Sequence, residues 1–397
     1  MKKTLLTICL VWMCFSLSAQ KIIDLSGKWS FSIDRQDNGE KEKWFSHTLN
    51  DFINLPGSMP EKLKGDEVTA KTQWTGSLYD SSYYYNPYME KYRKEGNIKF
   101  PFFLTPDKHY VGAAWYQKEV NIPADWKGER ILLFLERPHI ETTVWVNGQK
   151  TGMQNSLCVP HQYDITHYVR PGKCTITIRV DNRIKEINVG PDSHSITDQT
   201  QGNWNGIVGR ICLQTTPKTY FDDIQIYPEP EQKLARVKVV IKGTGTAKVK
   251  LSAESFNTDK KHIVPAIQQE IKLNKGVTET EMVLPMGNDM LLWDEFHPAL
   301  YKLKAEVTNG KKTEIKEIQF GMRRFEIKGK WFYVNGRKTQ LRGTVENCDF
   351  PLTGYAPMDV ESWERVFRIC RSYGLNHMRF HSFCPPEAAF MAADRVG

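Results

Sequence analysis

The C-terminal stretch, residues 325–397, limits the fold of this chain most strongly because it alternates strand and helix patterns. Apolar residues alternate over 338–345 and again over 375–381, as in β-strands, and recur with helical spacing over 359–373 and 387–396. Parallel strands need a crossover connection, which is usually a helix. Strand, helix, strand and helix in this order therefore predict the opening of a parallel β/α fold.

An Asn-Gly pair at Asn335-Gly336 predicts a tight hairpin turn just before this β/α region. The pair follows the alternating run 325–334, and both of its residues tolerate the positive φ angles that such a turn requires. A second pair, Asn147-Gly148, predicts another tight turn between alternating strands earlier in the chain.

Polar side chains stand where the two predicted parallel strands end. Glu346 and Asn347 follow the first strand, and Arg379 and His381 lie at the end of the second. In β/α barrels the chemistry takes place at the carboxyl ends of the strands, so these four residues are candidates for a substrate-binding rim. A closed barrel needs eight β/α units in about 250 residues. Only the first units of such a barrel are present, so we predict the N-terminal part of a longer enzyme.

The rest of the chain is predicted to form two β-domains. Short alternating strands over 21–220 predict a sandwich or jelly roll, and 221–325 has the strand spacing of a smaller immunoglobulin-like sandwich. Pro228 and Pro230 are interpreted as the linker into the second domain. The tyrosine-rich insertion 71–109 either packs as a long loop on its own sheet or offers rings on which sugars stack.

Residues 1–20 have the pattern of a secretory signal peptide, with a basic start, a short apolar run and small residues before Lys21. The apolar run is too short to span a membrane comfortably, and no other segment approaches that length. We therefore predict an exported protein, periplasmic or extracellular, with no membrane attachment after the signal peptide is removed. Lipidation of Cys14 is left open.

The cysteines predict neither a metal site nor a fixed disulfide framework. Of the eight, Cys9 and Cys14 lie in the predicted signal peptide. Export permits disulfides, but the spacings of the others are wide and include no Cys-x-x-Cys pattern. Cys348 and Cys384 follow neighbouring predicted strands, so they either meet or remain buried free thiols. No cofactor motif occurs, so we expect no cofactor, while a bound monovalent or divalent cation stays open.

The charge distribution argues against one class of partner. The formal net charge is +8, but the basic residues are spread among acidic ones and form no block. Nucleic-acid binding therefore has little support. An acidic polysaccharide is compatible with this charge without being indicated by it, and the sequence does not define an oligomeric state.

A series of short motifs resembles family 2 glycoside hydrolases, which include β-galactosidases, β-glucuronidases and β-mannosidases. The motifs follow the family's order through nearly the whole chain after the signal peptide, and the ordered series is more specific than any single motif. Those that resemble the sugar-binding jelly roll are 114–118, 143–148, 163–166, 178–182 and 204–210. Those that resemble the immunoglobulin-like domain and the entry to the barrel are 292–293, 298–301, 320–325, 333–336, 341–343 and 376–385.

The resemblance implies a mainly β, multidomain protein: a jelly-roll sandwich, an immunoglobulin-like sandwich and the first β/α units of a TIM barrel. It also implies a retaining, β-galactosidase-like exo-glycosidase. Retention needs two carboxyl groups about 5–5.5 Å apart, as acid/base and nucleophile. In the family both are glutamates on later strands, the first preceded by asparagine. The chain contains no Asn-Glu pair, so we expect both catalytic residues beyond Gly397 and no turnover by this polypeptide alone.

The resemblance also implies an oligosaccharide or polysaccharide partner, such as a plant or host glycan cleaved at its non-reducing end. Asn203 and Asn205 lie on a loop that the family extends toward the active site. Each candidate has a structural alternative, for instance an ion pair inside the barrel for Arg379. The substrate-binding candidates are Arg379, His381, Glu346, Asn347, Asn203 and Asn205.

Two other functions stay open. The first is a non-catalytic carbohydrate-binding β-sandwich protein that ends at Gly397. The second is a family member with another exo-specificity, such as a β-glucuronidase, β-mannosidase or arabinosidase. The half-built parallel sheet favours an enzyme, because two parallel strands alone leave an unpaired edge.

Overall fold

The computed structural model describes residues 20–75, 81–99, 106–185, 196, 202–350 and 352–397. Apart from Gln20, the predicted signal peptide lies outside these residues. The described part is mainly β, as the sequence predicts. None of the helices in this part is both long enough and apolar enough to cross a membrane.

The first domain is a sandwich of two antiparallel sheets. Its strands are β1 (Ile22–Asp24), β2 (Gly27–Asp34), β3 (Asp51–Leu55), β4 (Gly57–Ser58), β5 (Asp66–Glu67), β6 (Lys108–His109), β7 (Ala113–Ile122), β8 (Arg130–Pro138), β9 (Glu141–Val146), β10 (Gln149–Asn155), β11 (His161–Asp164), β12 (Gly172–Asp181) and β13 (Gly206–Thr216). One sheet has the order β1-β13-β8-β11, with β4 on β13, and the other has the order β10-β9-β12-β7-β2-β3. A separate small sheet pairs β5 with β6.

Alternation of apolar residues decides which faces of the two sheets meet. In β12 the alternate residues Ile176, Ile178 and Val180 are buried in one cluster that also contains Leu133 and Leu135 of β8. A strand points successive side chains to opposite faces, so this spacing gives each sheet one apolar face. Burying each such side chain contributes about 1.5–3 kcal/mol, which makes the sandwich a firm support for the loops at its ends.

The tyrosine-rich insertion packs on itself where it is described. It includes the short helix α1 (Ser82–Tyr85), and Trp74 and Tyr83 are buried in a small cluster of its own. The Tyr83 hydroxyl donates a hydrogen bond to the Tyr92 carbonyl oxygen over 2.8 Å. These contacts favour the packed-loop interpretation, while Tyr85 and Tyr88 are exposed. A role of exposed rings in sugar stacking stays a prediction.

The second domain is also antiparallel. Its strands are β14 (Tyr220–Glu229), β15 (Leu234–Phe256), β16 (Ile263–Pro285), β17 (Leu300–Asn309) and β18 (Lys312–Phe320). They have the order β14-β15-β17-β18, with β16 also paired to β15. The long strand β15 pairs with β14 through its first half and with β17 through its second half. One core cluster contains side chains from both halves.

The interpretation of Pro228 and Pro230 as a linker is wrong. Pro228 lies inside β14, opposite Ala235 of β15, and Pro230 begins the short 3-10 turn between these two strands. The connection between the domains instead lies between the end of β13 at Thr216 and the start of β14 at Tyr220. Because β14 is an edge strand, it tolerates a residue that cannot donate a backbone hydrogen bond.

The third part, the β/α segment, follows the predicted order of elements. It contains β19 (Phe325–Lys328), β20 (Trp331–Val334), β21 (Arg337–Thr339), β22 (Gly343–Glu346), α2 (Val360–Ser372), β23 (His377–Phe380) and α3 (Glu387–Val396). Strands β19, β20 and β21 form an antiparallel sheet, and β22 pairs with β23 in parallel. The Asn335-Gly336 turn is confirmed, with φ angles of 51° and 75°.

The strand predicted over 338–345 is in fact two strands, β21 and β22. The Asn376 side chain explains the break, because its Oδ1 accepts a hydrogen bond from the Arg342 backbone N–H over 2.8 Å. Its Nδ2 donates to the Gln340 carbonyl oxygen over 3.1 Å. These bonds satisfy the backbone where the chain leaves the hairpin sheet and enters the parallel pair.

Helix α2 begins and ends where the sequence predicts. The Asp359 carboxylate accepts hydrogen bonds from the Ser362 backbone N–H over 2.8 Å and from the Ser362 hydroxyl over 2.9 Å. This is the arrangement of an N-cap, which satisfies a free N–H of the first turn. Trp363 and Phe367, one turn apart, bury the apolar face against α3 and β23.

Direct contacts join the β/α segment to both domains. The Tyr355 hydroxyl donates to Glu61 of the first domain over 3.0 Å, and the Ser58 hydroxyl donates to the Thr353 carbonyl oxygen. Trp293 of the second domain donates from Nε1 to the Asp394 carbonyl oxygen at the end of α3 over 2.7 Å. The ends of β22 and β23 are thereby held beside the first domain.

Candidate functional site

The parallel pair β22 and β23 presents one apolar and one polar face. The register places Val345 beside Arg379 and Glu346 beside Phe380. Phe380 packs among the side chains of the two helices, with its ring 5.6 Å from that of Trp363. Successive residues of a strand point to opposite faces, so Arg379 lies on the face turned away from the helices. It is exposed there, as expected for a residue of a binding rim.

Glu346 does not share that face. By the same alternation it points to the helix side with Phe380, and its Oε1 accepts a hydrogen bond from the Cys348 backbone N–H over 2.8 Å. The carboxylate therefore stabilises the turn after β22, where Cys348 has a φ of 66°. Its predicted contact with substrate is not favoured by this arrangement and stays a prediction.

His381 and Asn347 lie at the ends of the two strands, as predicted. The His381 backbone N–H donates to the Glu346 carbonyl oxygen over 2.8 Å, which extends the parallel ladder by one bond. His381 is half-buried, and the Asn347 side chain is exposed. With Arg379 they make a polar rim at the carboxyl ends of β22 and β23, the place where β/α folds position their chemistry.

Asn203 and Asn205 lie inside the first domain rather than on a rim. Asn205 is only 1% exposed. Its Oδ1 accepts from the Tyr116 hydroxyl over 2.8 Å, and its Nδ2 donates to the carbonyl oxygens of Gly112 and Val180. Asn203 Nδ2 likewise donates to the Thr75 hydroxyl and the Asn182 carbonyl oxygen. Both side-chain amides are therefore engaged in hydrogen bonds within the domain. Their predicted contact with substrate stays a prediction that the structure does not support.

A cavity of about 330 Å³ separates the first domain from the β/α segment. We call it the junction cavity. Its first wall includes Trp204 and the end of β8, and its second wall consists of the turns that follow β22 and β23. The lining residues used below are Arg137, His139, Cys158, Trp204, Cys348, Tyr355 and Cys384.

An aromatic stack forms the first wall of the junction cavity. The rings of His139 and Trp204 lie parallel, with centroids 4.6 Å apart, and the Tyr355 ring lies 5.6 Å from Trp204. Trp204 is buried. Its ring is therefore used within the protein, and these contacts hold the β/α segment against the first domain instead of offering a platform for a sugar.

His139 is neutral at ordinary pH. Burial and, to a smaller extent, the nearby charge of Arg137 lower the pKa of its imidazole to about 3, against the opposing effect of the hydrogen bond with Asn203. Nε2 lies 3.2 Å from Asn203 Oδ1. Since the Asn203 amide nitrogen donates elsewhere, its oxygen is the acceptor and His139 carries its proton on Nε2. The ring therefore supplies packing and a hydrogen bond rather than a transferable proton.

A charged network supports the loop that carries Asn203. Arg179 and Arg183 both bond the buried Asp181, at 3.0 Å and 2.6 Å. Burial alone would raise the pKa of Asp181, but hydrogen bonds from Arg183 and Lys185 outweigh it and hold that pKa well below its usual range. The next residue, Asn182, donates to the Asn203 carbonyl oxygen over 3.0 Å.

The sequence did not single out His139, Arg137 or Tyr355. His139 follows β8 without any motif, and Tyr355 lies in an irregular turn, so only their folded positions identify them. Trp204 lies in one of the motifs found in the sequence, but the residues predicted there to bind substrate were its neighbours Asn203 and Asn205. As for ions, the described residues include no group of three or more His, Cys, Asp or Glu side chains suited to hold a metal.

The chain belongs to glycosyl hydrolase family 2. Residues 22–217 match the family model described as the sugar binding domain of glycosyl hydrolases family 2, and residues 219–323 match a second model of the same family. These ranges coincide with the first and second domains. The resemblance predicted from the ordered motifs is confirmed.

The similar proteins described here carry the names of two enzyme activities. A putative beta-glucuronidase of Formosa agariphila is 27% identical over 74% of this chain and 35% of its own length. Human beta-glucuronidase is 23% identical over 94% of this chain and 56% of its own length. A beta-galactosidase of Thermoanaerobacter pseudethanolicus is 24% identical over 76% of this chain and 40% of its own length. The chain thus spans about half the length, or less, of the curated relatives it matches.

Solved structures show the same fold. The beta-glucuronidase of Ruminococcus gnavus, in complex with a C6-substituted uronic isofagomine, superposes with a TM-score of 0.69 at 19% identity. The superposition covers 96% of this chain and 58% of the Ruminococcus gnavus chain. A family 2 glycosyl hydrolase of Bacteroides cellulosilyticus superposes with a TM-score of 0.67 at 20% identity, over 95% of this chain and 46% of its own.

Proposed function

We propose that this chain is the N-terminal part of an exported, retaining exo-glycosidase of family 2. In this proposal the first domain is the family's jelly-roll sugar-binding domain and the second is its immunoglobulin-like sandwich. The β/α segment is the opening of a (β/α)8 catalytic barrel. The observation that carries it is the parallel pair β22 and β23, whose carboxyl ends bear Arg379, on the face opposite the helices, and His381.

The chemistry of retention determines which residues the proposal assigns to catalysis and which to sugar binding. A retaining glycosidase needs two carboxyl groups about 5–5.5 Å apart, which flank the scissile bond. Glu346, the carboxylate at the end of β22, is used in its own turn, so the pair is proposed to come from strands beyond Gly397. Arg379 and His381 would then bind and orient the sugar. The present polypeptide alone is expected to be inactive.

A β-glucuronide is the first substrate to test, ahead of the β-galactoside that the sequence motifs suggested. Two cationic side chains support this choice: Arg379 on the rim and Arg137 in the junction cavity. Arg379 is exposed, and Arg137 donates a hydrogen bond to the Cys384 carbonyl oxygen over 2.8 Å. A guanidinium binds a carboxylate through two parallel hydrogen bonds, which suits a uronic acid. Several named relatives are also beta-glucuronidases.

The test uses the complete polypeptide that the gene encodes. It is assayed with aryl β-glucuronide, β-galactoside, β-mannoside and α-arabinoside, and the first-formed anomer is followed by NMR. Hydrolysis of one glycoside with retention supports the proposal, and β-glucuronide should lead. Inversion, or the absence of hydrolysis with sugar binding preserved, would replace it with a different mechanism or a non-catalytic carbohydrate-binding protein. N-terminal sequencing of the exported protein should begin at Lys21.

A further inference from the structure

Two exposed cysteines from distant parts of the chain line the junction cavity. Cys158 lies in the loop between β10 and β11 of the first domain, and Cys384 lies in the loop between β23 and α3. Of the cysteines that the structure describes, these two are exposed and the others are buried or half-buried. The cavity therefore brings together two solvent-accessible thiols, one from each side of the junction.

The two side chains face the same enclosed space, because both line the junction cavity. Burial raises the pKa of the Cys384 thiol, the Cys158 thiol adds to the shift and Arg137 opposes it. Arg137 also donates from Nη2 to the Cys384 carbonyl oxygen over 2.8 Å, which holds that loop against the first domain.

We propose that Cys158 and Cys384 form a disulfide that covalently joins the first domain to the β/α segment. It would close the cavity wall and fix the two loops at one separation. The inference does not depend on glycosidase activity. It requires only an oxidising compartment, where disulfides form and persist.

The oxidant is a second disulfide, for example that of a protein dithiol oxidase or oxidised glutathione. One cysteine thiolate attacks this disulfide, which gives a mixed disulfide and releases the first thiol of the oxidant. The other cysteine thiolate then attacks the mixed disulfide at the protein's sulfur, which forms the Sγ–Sγ bond and releases the second thiol. The protein loses two electrons and two protons, and the oxidant is reduced to two thiols.

Cys348, which the sequence suggested as a partner for Cys384, lines the same cavity but is buried. Burial raises the pKa of its thiol to about 12, so it is almost never a thiolate at neutral pH. It also lies in the core cluster of α2 and α3. Cys158 is therefore the partner that the structure favours, and Cys348 provides a natural internal control.

The test maps disulfides in the full chain. Purified protein is incubated with oxidised glutathione or with a reductant, free thiols are alkylated under denaturing conditions, and peptides are analysed by mass spectrometry. We expect a cross-linked Cys158–Cys384 peptide in the oxidised sample only, with the intact monomer lighter by two hydrogen atoms. Cys158→Ser and Cys384→Ser should each abolish this peptide, while Cys348→Ser should retain it.

The same experiment can overturn the inference. Full alkylation of Cys158 and Cys384 after oxidation would exclude the bond. So would a cross-link of Cys384 to Cys348, or disulfide-linked dimers through Cys158 on a non-reducing gel. Because Cys158 and Cys384 are exposed, the serine variants should keep the native circular dichroism spectrum, so loss of the cross-link cannot be attributed to unfolding.

Discussion

Replacement of Asn205 by alanine separates a structural from a ligand-binding role for this residue. The side chain makes three hydrogen bonds, one from the Tyr116 hydroxyl and two to the backbone oxygens of Gly112 and Val180. Asn205→Ala removes a hydrogen-bond partner from three buried groups, at about 1–3 kcal/mol for each that is left unpaired. The three costs are not additive because the groups are neighbours, so we expect a loss of about 3–5 kcal/mol in the free energy of unfolding of the first domain.

Thermal unfolding followed by tryptophan fluorescence measures this loss. For a domain of roughly 150–250 residues, each kcal/mol shifts the Tm by about 2–4 °C, so Asn205→Ala should lower the Tm by at least about 6 °C. Tyr116→Phe should cost about 1–2 kcal/mol, since it removes the one hydroxyl that bonds Asn205. The double variant should lose less than the sum of both, because the two changes remove the same bond.

The exposed Asn347 is the matched control. Asn347→Ala should change the free energy of unfolding by no more than about 0.5 kcal/mol, as is usual for a surface substitution. A Tm for Asn205→Ala within about 2 °C of the unchanged protein, together with weaker sugar binding, would refute the reasoning. The amide would then serve a ligand rather than the fold.

Three further substitutions test other parts of the structure. Asp359→Ala should cost about 1 kcal/mol in a urea titration through loss of the N-cap of α2, whereas Asp359→Ser should restore most of it. Burial lowers the pKa of His139 to about 3 and that of His161 to about 4. Both rings are therefore protonated more readily when unfolded. Stability should fall as the pH is lowered from about 6.5 to about 4, by up to about 1.4 kcal/mol per pH unit for each ring. His139→Gln should flatten that slope, and an unchanged slope would contradict the assignment. Arg379→Ala, in the complete polypeptide, should reduce glycoside hydrolysis at least tenfold while leaving the Tm within about 2 °C, because the side chain is exposed.

Local signals in the sequence predicted local structure well. The Asn-Gly pairs became turns with positive φ at Asn147 and Asn335, and Asp359 became the N-cap of α2. Such features depend on a few neighbouring residues whose conformational preferences are strong. The parallel pairing of β22 with β23 followed from the same logic, because a helix of this length between two strands leaves few other connections.

The features that the sequence did not reveal are interactions between residues far apart in the chain. The sequence does not distinguish an asparagine whose amide binds a sugar from one whose amide, like that of Asn205, bonds three buried groups of the protein. The break between β21 and β22 depends on hydrogen bonds from the distant Asn376. Glu346 was placed on the rim by its position at a strand end, but the register turns it to the helix side. Likewise, only the folded loops show that Cys158 and Cys384 line the same cavity.

The two β-domains have cores that are contiguous along the chain. The core of the first is drawn from Leu25 to Leu213, and that of the second from Phe221 to Met322. The first domain can therefore fold on its own while the ribosome is still making the second, which takes roughly 5–20 s at ordinary translation rates. During that interval Trp204 has no Tyr355 against which to pack. The newly made chain thus exposes an apolar surface at Trp204. Its own later residues, which include Tyr355, must pack on this surface before another molecule binds there.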